Sequence, residues 1–90
     1  MDKARFSPDW AVHPGEVLAE HMRANGLTQA QLARQAGLSR KLICDIVHGN
    51  NPVTARTALR LEKVLDLSAE SWLRLQNQWD LHQARQEQAA

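Results

Sequence analysis

The sequence has no tyrosine, one phenylalanine and one cysteine in 90 residues. A lone Cys44 rules out an internal disulfide and cannot anchor a cysteine-rich metal site. It suits a reducing cytoplasm, the expected location. No apolar run exceeds four residues, so no membrane-spanning segment is expected. Nor does an apolar stretch follow Met1-Asp2-Lys3-Ala4-Arg5, so no secretory leader is expected. The alternating pattern of a half-buried strand is missing, and so is any internal repeat.

What remains is an ordinary globular mixture, 43% hydrophobic and 23% charged, short enough for one small domain. The net charge of +1 says little about partners, but its distribution says more. Between Thr28 and Asn51, Arg34, Arg40 and Lys41 are set against Asp45 alone. Between Thr54 and Lys63, Arg56, Arg60 and Lys63 are set against Glu62 alone, and beyond Val64 acids prevail.

Apolar residues recur at helical spacing between start and stop signals, so an all-α fold of five short helices is expected, over approximately 14–25, 28–36, 39–48, 54–65 and 68–82. An arm over 1–12 precedes the domain of 13–82, and a polar tail over 83–90 is expected to fray. Pro14 fits a first helical position, where its missing N–H is no loss. Thr28 with Gln31 reads as a capping box, and Ser39 as a second N-cap. Leu27 with Leu32, Leu38 with Ile43, and Leu67 with Trp72 have the spacing of hydrophobic staples. Gly26, Gly37 and Gly49 follow helix ends.

The stretch from Thr28 to Val47 is the informative one. Two capped helices are separated by a three-residue turn at Gly37, with the small Ala33 where the axes must approach. Leu32, Leu38, Ile43 and Ile46 close the wedge from inside. Outside remains the start of the third helix: Ser39, Arg40 and Lys41, then Leu42, Cys44 and Asp45. That is the layout of a helix-turn-helix whose second helix enters a major groove of double-stranded DNA. The alternative is an αα-hairpin whose cations form a solvated face.

Thr28-Gln29-Ala30-Gln31-Leu32-Ala33 with Gly37-Leu38-Ser39-Arg40-Lys41 resembles the phage-repressor (Xre-type) helix-turn-helix. His13-Pro14-Gly15-Glu16, Pro52-Val53-Thr54, Thr57-Ala58-Leu59-Arg60-Leu61 and Trp72-Leu73-Arg74-Leu75-Gln76 narrow the resemblance to the HigA-type antitoxins. It covers about Val12 to Leu81. The resemblance implies a five-helix, lambda-repressor-like domain and a homodimer that represses its own operon. It also implies a partner, a RelE-like (HigB-type) mRNA-cleaving toxin. The chain departs from the family pattern at Leu42 and Cys44, where small polar residues are common. It departs again in the His48-Gly49-Asn50-Asn51 loop, which is often basic.

Candidate DNA-binding residues follow from position. Arg40 and Lys41 are placed to reach guanine edges or phosphates, Ser39 is a cap that can touch phosphate, and Leu42, outward in this register, either meets a thymine methyl or is simply a surface leucine. Asp45 either accepts from cytosine N4 or pairs with Lys41 four residues earlier. Gln29 can offer a phosphate contact at a helix N-terminus, with Thr54 and Arg56 as further phosphate candidates. Reading successive grooves requires two copies and an inverted-repeat operator. Trp72, Leu75 and Trp79 form a helical stripe that serves as core, as dimer seam, or as both. Phe6, Pro8 and Trp10 in the arm dock on the first helix or on a partner.

No enzyme is expected. Cys44 and His48 are one turn apart, but no third group orients them and a convex helix offers no pocket. His13, His21, His48 and His82 lack metal-ligand spacing, and no cofactor is implied. Two other readings stay open: a free-standing repressor, and an interaction module without DNA binding.

Overall fold

Four helices begin where a serine or threonine side chain takes up a free N–H. In the computed structural model, which describes residues 11–89, Thr28 Oγ1 accepts from the Gln31 N–H at 3.1 Å and Gln31 Oε1 accepts from the Thr28 N–H at 2.9 Å. Ser39 Oγ accepts from Leu42 N–H at 3.0 Å, Thr54 Oγ1 from Thr57 N–H at 3.3 Å, and Ser68 Oγ from Ser71 N–H at 3.1 Å. Each bond satisfies a donor that the helix itself leaves unpaired. The helices are α1 (Pro14–Ala24), α2 (Gln29–Ala36), α3 (Arg40–Val47), α4 (Ala55–Glu62) and α5 (Ala69–Ala89). There is no strand among the described residues.

The entry to α1 uses a different device. His13 Nδ1 accepts from the Gly15 N–H at 2.9 Å, so an imidazole caps the helix just ahead of Pro14. At the far end the chain turns out of the helix in a Schellman motif. Leu27 N–H reaches Met22 O at 2.9 Å and Gly26 N–H reaches Arg23 O at 3.2 Å.

The core is a single cluster in which Leu18, Leu32, Ile43, Ala58, Leu61 and Trp72 are wholly excluded from solvent. Burying one such leucine or isoleucine contributes about 1.5–3 kcal/mol. α3 sits between α1 and α2, while α5 packs on both α4 and α1. Leu27, Leu38 and Leu67, each just ahead of a cap, pack against the cluster. That contact fixes the angle at which the chain enters the next helix.

Two expectations change. The helix of 68–82 does not stop at His82, because α5 continues to Ala89 with 83–89 exposed. Gln, Ala, Arg and Glu are strong helix formers, and nothing among them breaks the pattern. α4 ends at Glu62 rather than near Leu65. The Val64 and Leu65 N–H groups both fold back onto Leu61 O, which tightens the exit and still buries Leu65. The arm residues Phe6, Pro8 and Trp10 lie outside the described residues.

Candidate nucleic-acid interface

The bend between α2 and α3 depends on one residue. Gly37 has φ +70°, a left-handed conformation that costs a residue with a Cβ roughly 1–2 kcal/mol. Leu38 N–H then returns to Ala33 O at 2.9 Å, and Ser39 opens α3. A Cβ at Gly37 would also lie 2.6 Å from Arg60 Nη1. Arg60 brings its guanidinium from α4 over the bend, where Nη1 makes a long 3.5 Å contact to Ala36 O.

A second close approach holds α3 from behind. A Cβ on Gly15 would meet the carbonyl oxygens of Ile46 and Val47. The N-terminal turn of α1 therefore abuts the C-terminal carbonyls of α3, positive helix end to negative. With its back fixed by Ile43 and Ile46 in the core, α3 presents its first turn outward. Arg40 is exposed, and the Lys41 side chain is 84% exposed. The cation pair is directed to solvent and not tucked against a neighbouring helix.

The other candidates divide. Ser39 is spent as a cap and stays exposed, and so does Thr54. Arg56 is exposed in the first turn of α4, and Gln29 is half-buried at the start of α2. Leu42, expected on the outer face, is half-buried and packs against the core cluster, because an eight-residue helix wedged between two others leaves few fully outward positions. Asp45 is drawn into local contacts. Its Oδ2 accepts from Lys41 Nζ at 3.1 Å and from Asn51 Nδ2 at 3.3 Å. Its backbone carbonyl accepts from Asn50 N–H at 2.7 Å. The pairing with Lys41 is thus present, and Asn51 is an addition the sequence reading did not contain. No hydrogen bond or ion pair joins Gln29 or Arg56 to this group among the described residues.

The stripe on α5 also divides. Trp72 is fully buried and cannot serve a seam, contrary to its place in the expected stripe. It lies at the centre of the buried face of α5, and its ring is 5.8 Å from that of His21. Leu75 and Trp79 flank that face and are half-buried. The Trp79 ring meets His13 edge-on at 5.0 Å and His82 at 5.7 Å. Leu81 is 44% exposed and points to the side of α5 away from Trp79.

Cys44 and His48 do meet, Sγ to Nδ1 at 3.5 Å. The same Nδ1 is 2.8 Å from the Cys44 carbonyl oxygen. A carbonyl only accepts, so Nδ1 carries the proton there and is not a base for the thiol. Among the described residues no group of three or more His, Cys, Asp or Glu is placed to hold a metal ion. No helix among them is long and apolar enough to cross a membrane.

Known proteins share this arrangement. A family model described as helix-turn-helix matches residues 18–72. Virulence-associated protein I of Dichelobacter nodosus is 40% identical over 78 residues, 86% of this chain and 72% of the relative. Antitoxin HigA-1 of Vibrio cholerae is 32% identical, over 99% of this chain and 85% of its own length. The solved structure of Pseudomonas aeruginosa antitoxin HigA with the higBA promoter superposes with a TM-score of 0.83 at 32% identity. It covers 89% of this chain and 88% of that one.

Proposed function

The chain belongs to the helix-turn-helix family, in the group of the HigA-type antitoxins, and from that premise we propose a DNA-binding antitoxin. It grips an inverted-repeat operator as a homodimer, represses its own operon, and neutralises a RelE-like mRNA-cleaving toxin. It is not an enzyme; it acts by occupying surfaces, in the cytoplasm, where both the operator and the toxin's mRNA substrate are found.

The observation that carries the DNA half is the exposed Arg40–Lys41 pair on the capped first turn of α3, set outward by the bend at Gly37. Arg40 suits bidentate contact with guanine O6 and N7, and Lys41 suits a guanine edge or a phosphate. Ser39, Gln29, Thr54 and Arg56 lie at the starts of α3, α2 and α4, where hydroxyls, amides, free backbone N–H groups and a guanidinium suit phosphates. Leu42 has less to offer a thymine methyl than its register suggested. Leu75 and Trp79 form the proposed dimer seam, since they are the two members of the Trp72, Leu75 and Trp79 stripe that are only half-buried. Toxin binding is supported by the family alone.

The test is binding of the chain to duplex DNA selected from a random pool, read by fluorescence anisotropy over a salt series. Arg40→Ala with Lys41→Ala abolishes selective binding and leaves toxin neutralisation intact. A wild-type chain with no salt-dependent DNA binding at low ionic strength would leave a pure interaction module. No small toxin-like reading frame beside the gene, and no such protein co-purifying, would leave a free-standing repressor.

A further inference from the structure

Asp45 stands out because its charge is in a poor place for the helix that carries it. It lies in the last turn of α3, near the C-terminal end, where the dipole disfavours an anion. The order Lys41 then Asp45 is also the weaker of the two orientations for an i, i+4 pair. Helix stability therefore does not account for it. Its contacts reach in two directions. One oxygen, Oδ2, takes Lys41 Nζ at 3.1 Å from the reading end of α3 and Asn51 Nδ2 at 3.3 Å from the following loop. Its backbone carbonyl takes the Asn50 N–H at 2.7 Å. Exposure is lopsided: the Asp45 side chain is 23% exposed and that of Lys41 84%. The carboxylate is committed, while the ammonium is free to leave.

We propose that Asp45 is a positioning and specificity-determining residue of the DNA interface. Through one carboxylate oxygen it ties Lys41 to Asn51, so the reading end of α3 and the loop after it present one preset surface. Lys41 must exchange the Asp45 oxygen for an acceptor on the DNA. A guanine edge in register offers two acceptors and makes that exchange favourable. An isolated phosphate offers little more than it takes away, so Asp45 sets a threshold against non-specific binding. Asp45 does not read a base itself. This rests on the DNA-binding reading above. It also gives the non-basic loop a part: Asn51 supplies an amide that anchors the carboxylate, in place of a charge that would grip phosphate.

The test compares wild type, Asp45→Asn, Lys41→Met and the double variant on the selected duplex and on a scrambled duplex of equal length. Asp45→Asn is expected to tighten the scrambled duplex by about two- to fivefold per protomer, the range of an exposed ion pair. Its log–log salt slope should steepen by about 0.9 per protomer, one phosphate each. The selected duplex should gain less, so discrimination falls. In the Lys41→Met background the change at Asp45 should tighten the scrambled duplex clearly less, because only the general relief of carboxylate–phosphate repulsion is left. A loss confined to one base position and undiminished in Lys41→Met would make Asp45 a base reader and overturn the proposal. Equal loss on both duplexes would overturn it too. A DNA-free measurement keeps the two readings separable. In the free protein, Asp45→Asn should shift the side-chain amide resonances of Asn51, whose Nδ2 donates to the carboxylate. Resonances that do not move would overturn the tie whether or not DNA binds, whereas resonances that move in a chain that binds no DNA would sink the DNA-binding reading and, with it, Asp45's part in specificity.

Discussion

Gly15 and His13 fix where α1 begins, by opposite means. At Gly15 the missing side chain is the point. An added Cβ would fall on two backbone carbonyls of α3, and backbone cannot swing aside as a side-chain tip can. Gly15→Ala is therefore expected to destabilise the fold by at least about 2 kcal/mol, toward the upper end of overpacking effects. A thermal melt should register that as a Tm drop of roughly 8 °C or more for a domain of this size. At His13 the side chain is the point. His13→Ala removes the cap on Gly15 N–H and the edge contact on Trp79, for a loss of about 1–2 kcal/mol in chemical denaturation. His13→Asn should recover the capping share and not the ring share. If Asn is no better than Ala, the imidazole is not acting as a cap.

At the scale of the element, the helix starts were legible in sequence because caps and staples are local. Thr28 with Gln31, Ser39, and the leucines ahead of them need only a few neighbouring residues to do what they do. The outward face of α3 was legible for the same reason, since Ile43 and Ile46 fix its inner side. What stayed hidden depends on partners far along the chain. Leu42 is half-buried because α3 is wedged between α1 and α2, and nothing between Thr28 and Val47 announces the approach of α1. Gln76 was visible as part of a family motif, yet its use was not. Its Oε1 accepts the Val53 N–H at 2.8 Å, across 23 residues, and so holds the loop that leads into α4. Val53 is 2% exposed, so in the intact protein its N–H relies on that acceptor. Gln76→Ala should cost about 0.5–1.5 kcal/mol, the net worth of a part-buried hydrogen bond. Gln76→Glu keeps an acceptor and should cost less. By contrast, Arg40→Ala and Lys41→Ala lie on solvent and should leave the unfolding free energy within about 0.5 kcal/mol of wild type. The α3 surface is thus separable from the fold that holds it, and a DNA-binding defect in those variants cannot be put down to unfolding.

For the whole molecule, the question is how one reading helix becomes a selective reader. α3 has eight residues, about 12 Å at 1.5 Å per residue, little more than the width of one major groove. In the proposed homodimer two copies work together, their α3 helices about 34–36 Å apart to meet successive grooves on one side of the duplex. With Trp72 in the core, the proposed seam falls to Leu75 and Trp79. Both also serve the fold, Leu75 by packing against the core cluster and Trp79 by meeting His13. Leu75→Glu should shift sedimentation from dimer to monomer and, because Leu75 also packs on the core cluster, lower the thermal midpoint as well, so the sedimentation is read where circular dichroism shows the helices still formed. It should also halve the salt slope, which for a dimer holding three to five phosphates per protomer is roughly −5 to −9. The duplex supplies an independent check. Inserting five base pairs between the half-sites of the selected operator turns one half-site to the far side, and binding should fall to the level of a single half-site. Removing that insertion should restore it. A monomer reading one half-site would be indifferent to the insertion. A dimer joined by a slack tether would lose little. Only a rigid seam makes the phase of the two half-sites matter, so the size of the loss measures how firmly α5 sets the separation of the two α3 helices.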